Sequence, residues 1–108
     1  MNIATRSNNG TTIVDVTGHI DLRSSPALRK FLLESLKGAD RLALNLVAVK
    51  YIDSSGIASL LEVFKAAQQA QKRFILFGLT VAVREVLQLT RLTGIFEIRE
   101  TEEEALNA

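Results

Sequence analysis

The chain has 108 residues, 47% of them hydrophobic and 23% charged, enough apolar side chain for one buried core and one domain over residues 1–108. Thirteen Lys and Arg against twelve Asp and Glu leave a net charge of +1, with no basic excess to meet a phosphate backbone, so a nucleic-acid binder is excluded. No apolar stretch reaches the ~18 residues of a membrane span, Met1 to Arg6 lacks a secretory layout, and the absence of cysteine removes disulfides and thiolate chemistry; the expectation is a cytoplasmic domain without membrane contact.

Residues Ile3 to Thr17 read as a hairpin: Ile13, Val14 and Val16 are strand formers, and Asn8-Asn9-Gly10 supplies turn residues that accept positive φ. Ser25 followed by Pro26 reads as an N-cap and first helical residue. Leu28, Phe31, Leu32 and Leu36 then trace an apolar stripe that ends at Lys37-Gly38. Leu42 to Val47 is almost continuously apolar, as expected of a strand covered on both faces.

A second amphipathic helix carries Ile57, Leu60, Leu61, Phe64 and Ala67. Phe74-Ile75-Leu76-Phe77 predicts another buried strand, and a third helix starts after Thr80 with Val83, Val86 and Leu87 on its apolar side. Phe96-Glu97-Ile98 is a short strand candidate. Thr101 with Glu104 three residues on predicts a capping box for a last helix. Strands that alternate with helices predict an α/β fold: a mixed, mostly parallel sheet with an N-terminal antiparallel hairpin and about four helices.

One segment departs from this plain pattern: Tyr51-Ile52-Asp53-Ser54-Ser55-Gly56-Ile57 lies between a buried strand and a long helix. A helix start needs one oxygen-bearing cap, and Asp53, Ser54 or Ser55 could each serve. Three in succession also suit a phosphate, because unpaired N–H groups and the helix dipole favour negative charge there. If the strand ending near Thr17 lies beside the one ending near Val47, Asp21 and Asp53 border one surface patch. Two carboxylates beside a hydroxyl could bind a metal or act as acid and base. Against catalysis stand a single histidine, His19, the absence of glycine-rich nucleotide motifs, and a chain too short to enclose a substrate. Neither a cofactor nor a metal is expected, and the chain reads as a non-enzyme.

Four stretches together resemble the STAS domain in its stand-alone form, the anti-sigma factor antagonist. They are Gly18-His19-Ile20-Asp21 with Ser24, then Leu44-Asn45-Leu46 with Tyr51 to Ile57, then Gly78 with Val81 to Leu87, and Leu92 to Ile98. The resemblance spans roughly Val14 to Leu106. It implies a STAS-like fold and a phospho-switch in which the first hydroxyl after the signature aspartate, here Ser54, is phosphorylated, with Ser55 a lesser candidate. It implies two partners: an anti-sigma factor that is also a serine kinase, captured by the unmodified form, and a metal-dependent serine phosphatase that restores that form. A related implication is a STAS subunit of another complex, in lipid transport or stress signalling, without sigma-factor output.

The docking face expected around Ser54 takes Asp21, Leu22, Arg23 and Ser24 as a rim, with Asp53, Ser55, Gly56, Ala58 and Ser59 beside it. Ala58 and Ser59 are read as surface residues because Ile57 and Leu61 occupy the inward stripe. Two positions depart from the family's pattern. Arg91 stands where many members have glycine, and His19 where an acidic residue is frequent.

Overall fold

The computed structural model describes residues 1–108. Strands β1 (Asn2–Asn8) and β2 (Thr11–Ile20) form the expected hairpin, followed by α1 (Ser25–Lys37), β3 (Arg41–Ile52), α2 (Ser54–Gln69), β4 (Arg73–Phe77), α3 (Val81–Leu89), β5 (Glu97–Arg99) and α4 (Glu102–Leu106). The two-residue hairpin turn is Asn9-Gly10, with φ of 50° and 80°. Both residues occupy the left-handed region, as a type I′ turn requires, and asparagine and glycine are the residues that tolerate it best.

The five strands lie in sequential order, β1 antiparallel to β2 and every other pair parallel. Side chains alternate across the sheet and so sort the core into two layers. Val14, Val16, Leu42, Leu44, Leu46 and Leu76 join the apolar faces of α1, α2 and α3. On the opposite face Ile13, Ala43, Ile75 and Phe77 are covered by Ala105 of α4. The mixed α/β expectation is met in element order, sheet type and number of helices.

Local details differ from the sequence reading at three places. The N-cap of α1 is Ser24, not Ser25; Ser25 is buried in the first turn and donates its N–H to Asp21 O (2.8 Å), which puts Pro26 one residue inside the helix. Only half of the capping box forms at α4. Thr101 Oγ1 accepts from Glu104 N (3.2 Å), but the Glu104 carboxylate reaches back to Glu100 N (3.3 Å) and not to its own cap residue. Finally, β3 runs five residues past Val47. Register shifts between Asp15 and Thr17 and between Gly18 and His19 break the two-residue period there, and Leu46, Val49 and Ile52 are buried at every third position.

Candidate functional site

Parallel pairing of β2 with β3 ends in register at Ile20 and Ile52. Asp21 and Asp53 therefore leave the same edge of the sheet side by side, as the sequence reading required, and Asp53 N donates to Ile20 O at 3.1 Å. Extended backbone at Asp53 (φ −112°, ψ −174°) makes it the N-cap of α2. Its Oδ1 accepts from Ser55 N (3.0 Å), from Gly56 N (3.1 Å) and from the Ser55 hydroxyl. The Ser55 hydroxyl is the largest of the influences that hold the Asp53 carboxyl below the usual aspartate range, with the Gly56, Ser55 and Leu22 amides adding to it.

This cap separates the two serines. Ser55 Oγ is committed to Asp53 and half-buried. Ser54, in the first turn, is exposed and its hydroxyl engages no group of the protein. The cap also changes the expected anion site: two of the first-turn N–H groups are already taken by Asp53, so a group attached to Ser54 would meet a carboxylate rather than an open nest of donors.

The β2–α1 connection is tied into a compact loop. Asp21 Oδ1 accepts from Arg23 N (3.0 Å) and Ser24 N (3.1 Å), while Ser24 Oγ accepts from Asp21 N (2.9 Å) and lies 2.9 Å from His19 O. These are the side-chain-to-backbone bonds of an Asx-turn. The Ser24 amide is the first of the contacts that lower the Asp21 carboxyl below its usual range, against repulsion from Asp53.

Among the residues read as a docking face, Leu22, Arg23, Ser54 and Ala58 are exposed, and Asp21, Ser24, Asp53 and Ser55 are half-buried. Two expectations are corrected. Ser59 is only 4% exposed because it shares the inward face of α2 with Gly56, Leu60 and Val63, at spacings of three and four. Leu61, read as inward, does pack against the core and is half-buried. Gly56 is likewise buried, against Ile20 and Ile52, and is a packing residue. Concave regions of the surface lie elsewhere; none is lined by Asp21, Asp53 or Ser54.

The extension of β3 also makes contacts that the sequence reading did not foresee. Tyr51 sits opposite His19 in the β2–β3 register, and the two rings meet edge to face with centroids 6.0 Å apart. Thr80 Oγ1, besides capping α3, donates to Val49 O at 2.9 Å and fastens the far side of the extension. The signal available in the sequence was the triplet spacing of Leu46, Val49 and Ile52, which matches neither regular period.

Arg91, read from the sequence as a departure from the pattern it resembles, has an unusual backbone. Arg91 adopts φ of 60° just beyond α3, with Arg91 N bonded to Gln88 O (3.1 Å) and Leu92 N to Leu87 O (2.9 Å). That is a Schellman motif with arginine at the position glycine favours.

The model of the STAS domain matches residues 2–105. The anti-sigma-B factor antagonist of Listeria monocytogenes is 32% identical over 90 residues, covering 82% of this chain and 79% of its own. An anti-sigma factor antagonist from Mycobacterium paratuberculosis superposes with a TM-score of 0.89 at 24% identity, covering 98% of this chain and 91% of its own. The Bacillus cell fate determinant SpoIIAA, in its phosphorylated form, superposes with a TM-score of 0.73 at 22% identity over 98% of this chain and 97% of its own.

Proposed function

The chain belongs to the STAS domain family, and from that premise we propose that it is an anti-sigma factor antagonist switched by phosphorylation of Ser54. In this reading the protein is a substrate and binding module, not an enzyme. The unmodified form captures an anti-sigma factor that is also a serine kinase. The kinase moves the γ-phosphoryl group of ATP onto Ser54 Oγ, and the phosphorylated form is released. A metal-dependent phosphatase then returns the ester to serine and inorganic phosphate. The observation that carries the reading is the contrast at the start of α2: Ser54 exposed with its hydroxyl unengaged, Ser55 bound to the cap carboxylate.

Magnitudes favour a blocked interface over refolding. A phosphate adds about −1.5 to −2 charges. At about 5 Å from Asp53 in water-like surroundings its repulsion costs roughly 1–2 kcal/mol, small beside a domain stability of about 5–15 kcal/mol. Inside a protein interface the same group must lose its water, at several kcal/mol per ion, and each ~1.4 kcal/mol is tenfold in affinity. The absence of a concavity at the site also suits a protein partner better than a small substrate.

The test is phosphorylation and binding with a purified anti-sigma factor kinase. Wild type and Ser55→Ala take up phosphate, Ser54→Ala takes up none, and Ser54→Glu binds at least 100-fold more weakly with an unchanged far-UV spectrum. Incorporation that persists in Ser54→Ala overturns the assignment. Self-labelling with ATP alone overturns the non-enzyme reading.

A further inference from the structure

We propose that Leu22 is the apolar anchor of the surface around Ser54, seated in an apolar socket of the anti-sigma factor while a cationic group of that same partner meets the Asp21 and Asp53 carboxylates. The inference rests on the reading of Ser54 given above.

The sheet register supplies the placement. Ile20 and Ile52 are paired, so Leu22 and Ser54 each stand two residues beyond the paired ends of neighbouring strands. Leu22 is 75% exposed, and its loop is braced on both sides. Asp21 and Ser24 are fastened to each other on either side of it, through Asp21 N to Ser24 Oγ and Ser24 N to Asp21 Oδ1, and Ser25 N closes the turn on Asp21 O at 2.8 Å. A large apolar side chain on a loop ordered in advance loses little entropy when a partner covers it, which is the circumstance in which one side chain dominates an interface.

Leu89, at 84%, is more exposed and Val81, at 75%, equally so, but both belong to α3 and not to the loop that carries Asp21. Leu22 instead adjoins two carboxylates. Each is held in its charged form by hydrogen bonds from its own loop, Asp21 by Ser24 and Arg23 and Asp53 by Ser55 and Gly56, and they repel one another. A partner that brings a cation to this pair relieves that repulsion and fixes the orientation in which Leu22 enters its socket.

Binding of purified anti-sigma factor kinase to wild type, Leu22→Ala, Leu22→Met and Ser54→Glu tests the inference. Leu22→Ala weakens binding about 10- to 100-fold, mostly by faster dissociation, while Leu22→Met stays within about threefold of wild type because it keeps a similar apolar volume. Thermal midpoints of both variants stay close to the wild-type value, since the residue is mostly exposed and belongs to neither core cluster. If Ser54→Glu loses binding and Leu22→Ala keeps it, the anchor is wrong and the switch stands. If Leu22→Met falls as far as Leu22→Ala, the socket is not apolar and the anchor is again wrong. If Ser54→Glu binds as wild type does, or wild type fails to bind, the switch and the anchor fall together.

Discussion

Gly56 is packed so closely on Ile52 that no methyl group fits between them: a Cβ at residue 56 would stand 2.6 Å from Ile52 Cγ1 and 2.8 Å from Ile20 Cγ2. Both isoleucines are almost wholly buried, and both end the strands that carry the Asp21 and Asp53 loops. The absence of a side chain at residue 56 lets the first turn of α2 settle onto the end of the sheet, and it sets the depth at which Ser54 emerges.

Two effects of opposite sign meet in Gly56→Ala. Helix propensity favours alanine by about 1 kcal/mol, whereas overpacking a close-fitted core costs typically ~1–3 kcal/mol. With both neighbours immobilised in the core, packing prevails. The variant should be destabilised by up to about 2 kcal/mol in a urea titration. A gain in stability would mean that the contact at Ile52 yields easily.

Arg91 offers the reverse case. Its left-handed backbone costs a non-glycine residue about 1–2 kcal/mol, part of which glycine gives back through greater freedom in the unfolded chain. Arg91→Gly should raise stability by about 0.5–1 kcal/mol, a few degrees in Tm, without touching the docking surface. Thermal unfolding monitored by circular dichroism measures it, and an unchanged or lower Tm would contradict the account.

Arg6 carries a pH-dependent share of stability. Its guanidinium binds Asp15 Oδ2 at 2.7 Å and Glu102 Oε1 at 2.5 Å, joining β1, β2 and α4. Those bonds are the first cause of the lowered pKa of both carboxyl groups. Carboxyls with folded values below their unfolded ones stabilise the fold above the unfolded values, near pH 4. That stabilisation is lost as pH falls through the folded values. Arg6 is 41% exposed on its side chain, so after solvent screening the network contributes on the order of 1 kcal/mol. Arg6→Met should lower Tm at pH 7 by a few degrees, and the gap from wild type should close as pH falls below about 5 and through the lowered folded values. A gap that stays constant with pH would show that packing of the side chain, not charge, accounts for the loss.

Much of this protein is legible in short stretches of its sequence, because the forces concerned are local. Asn9-Gly10 makes the hairpin turn, Thr80 and Thr101 accept the amides of Val83 and Glu104 as caps, and the apolar spacing of α1, α2 and α3 marks the elements that bury it. The surplus of oxygen-bearing residues at Asp53-Ser54-Ser55 could be seen in the same way, with each of the three a possible cap. Which one caps, and which hydroxyl is left over, depends on the backbone angles of Asp53 and on its bond to Ile20 O. Those come from pairing with a strand more than thirty residues away. The rotation of α2 that hides Ser59 depends in turn on its packing against the sheet and α1.

Periodicity, turn chemistry and capping act over a few residues, so the sequence alone determined the elements, their order and the class of the fold. The arrival of Leu22 and Ser54 at one end of the sheet, and the burial of Gly56 and Ser59 beneath it, depend on strand register and helix packing. Those are long-range matches between surfaces, and only the assembled tertiary structure could decide them.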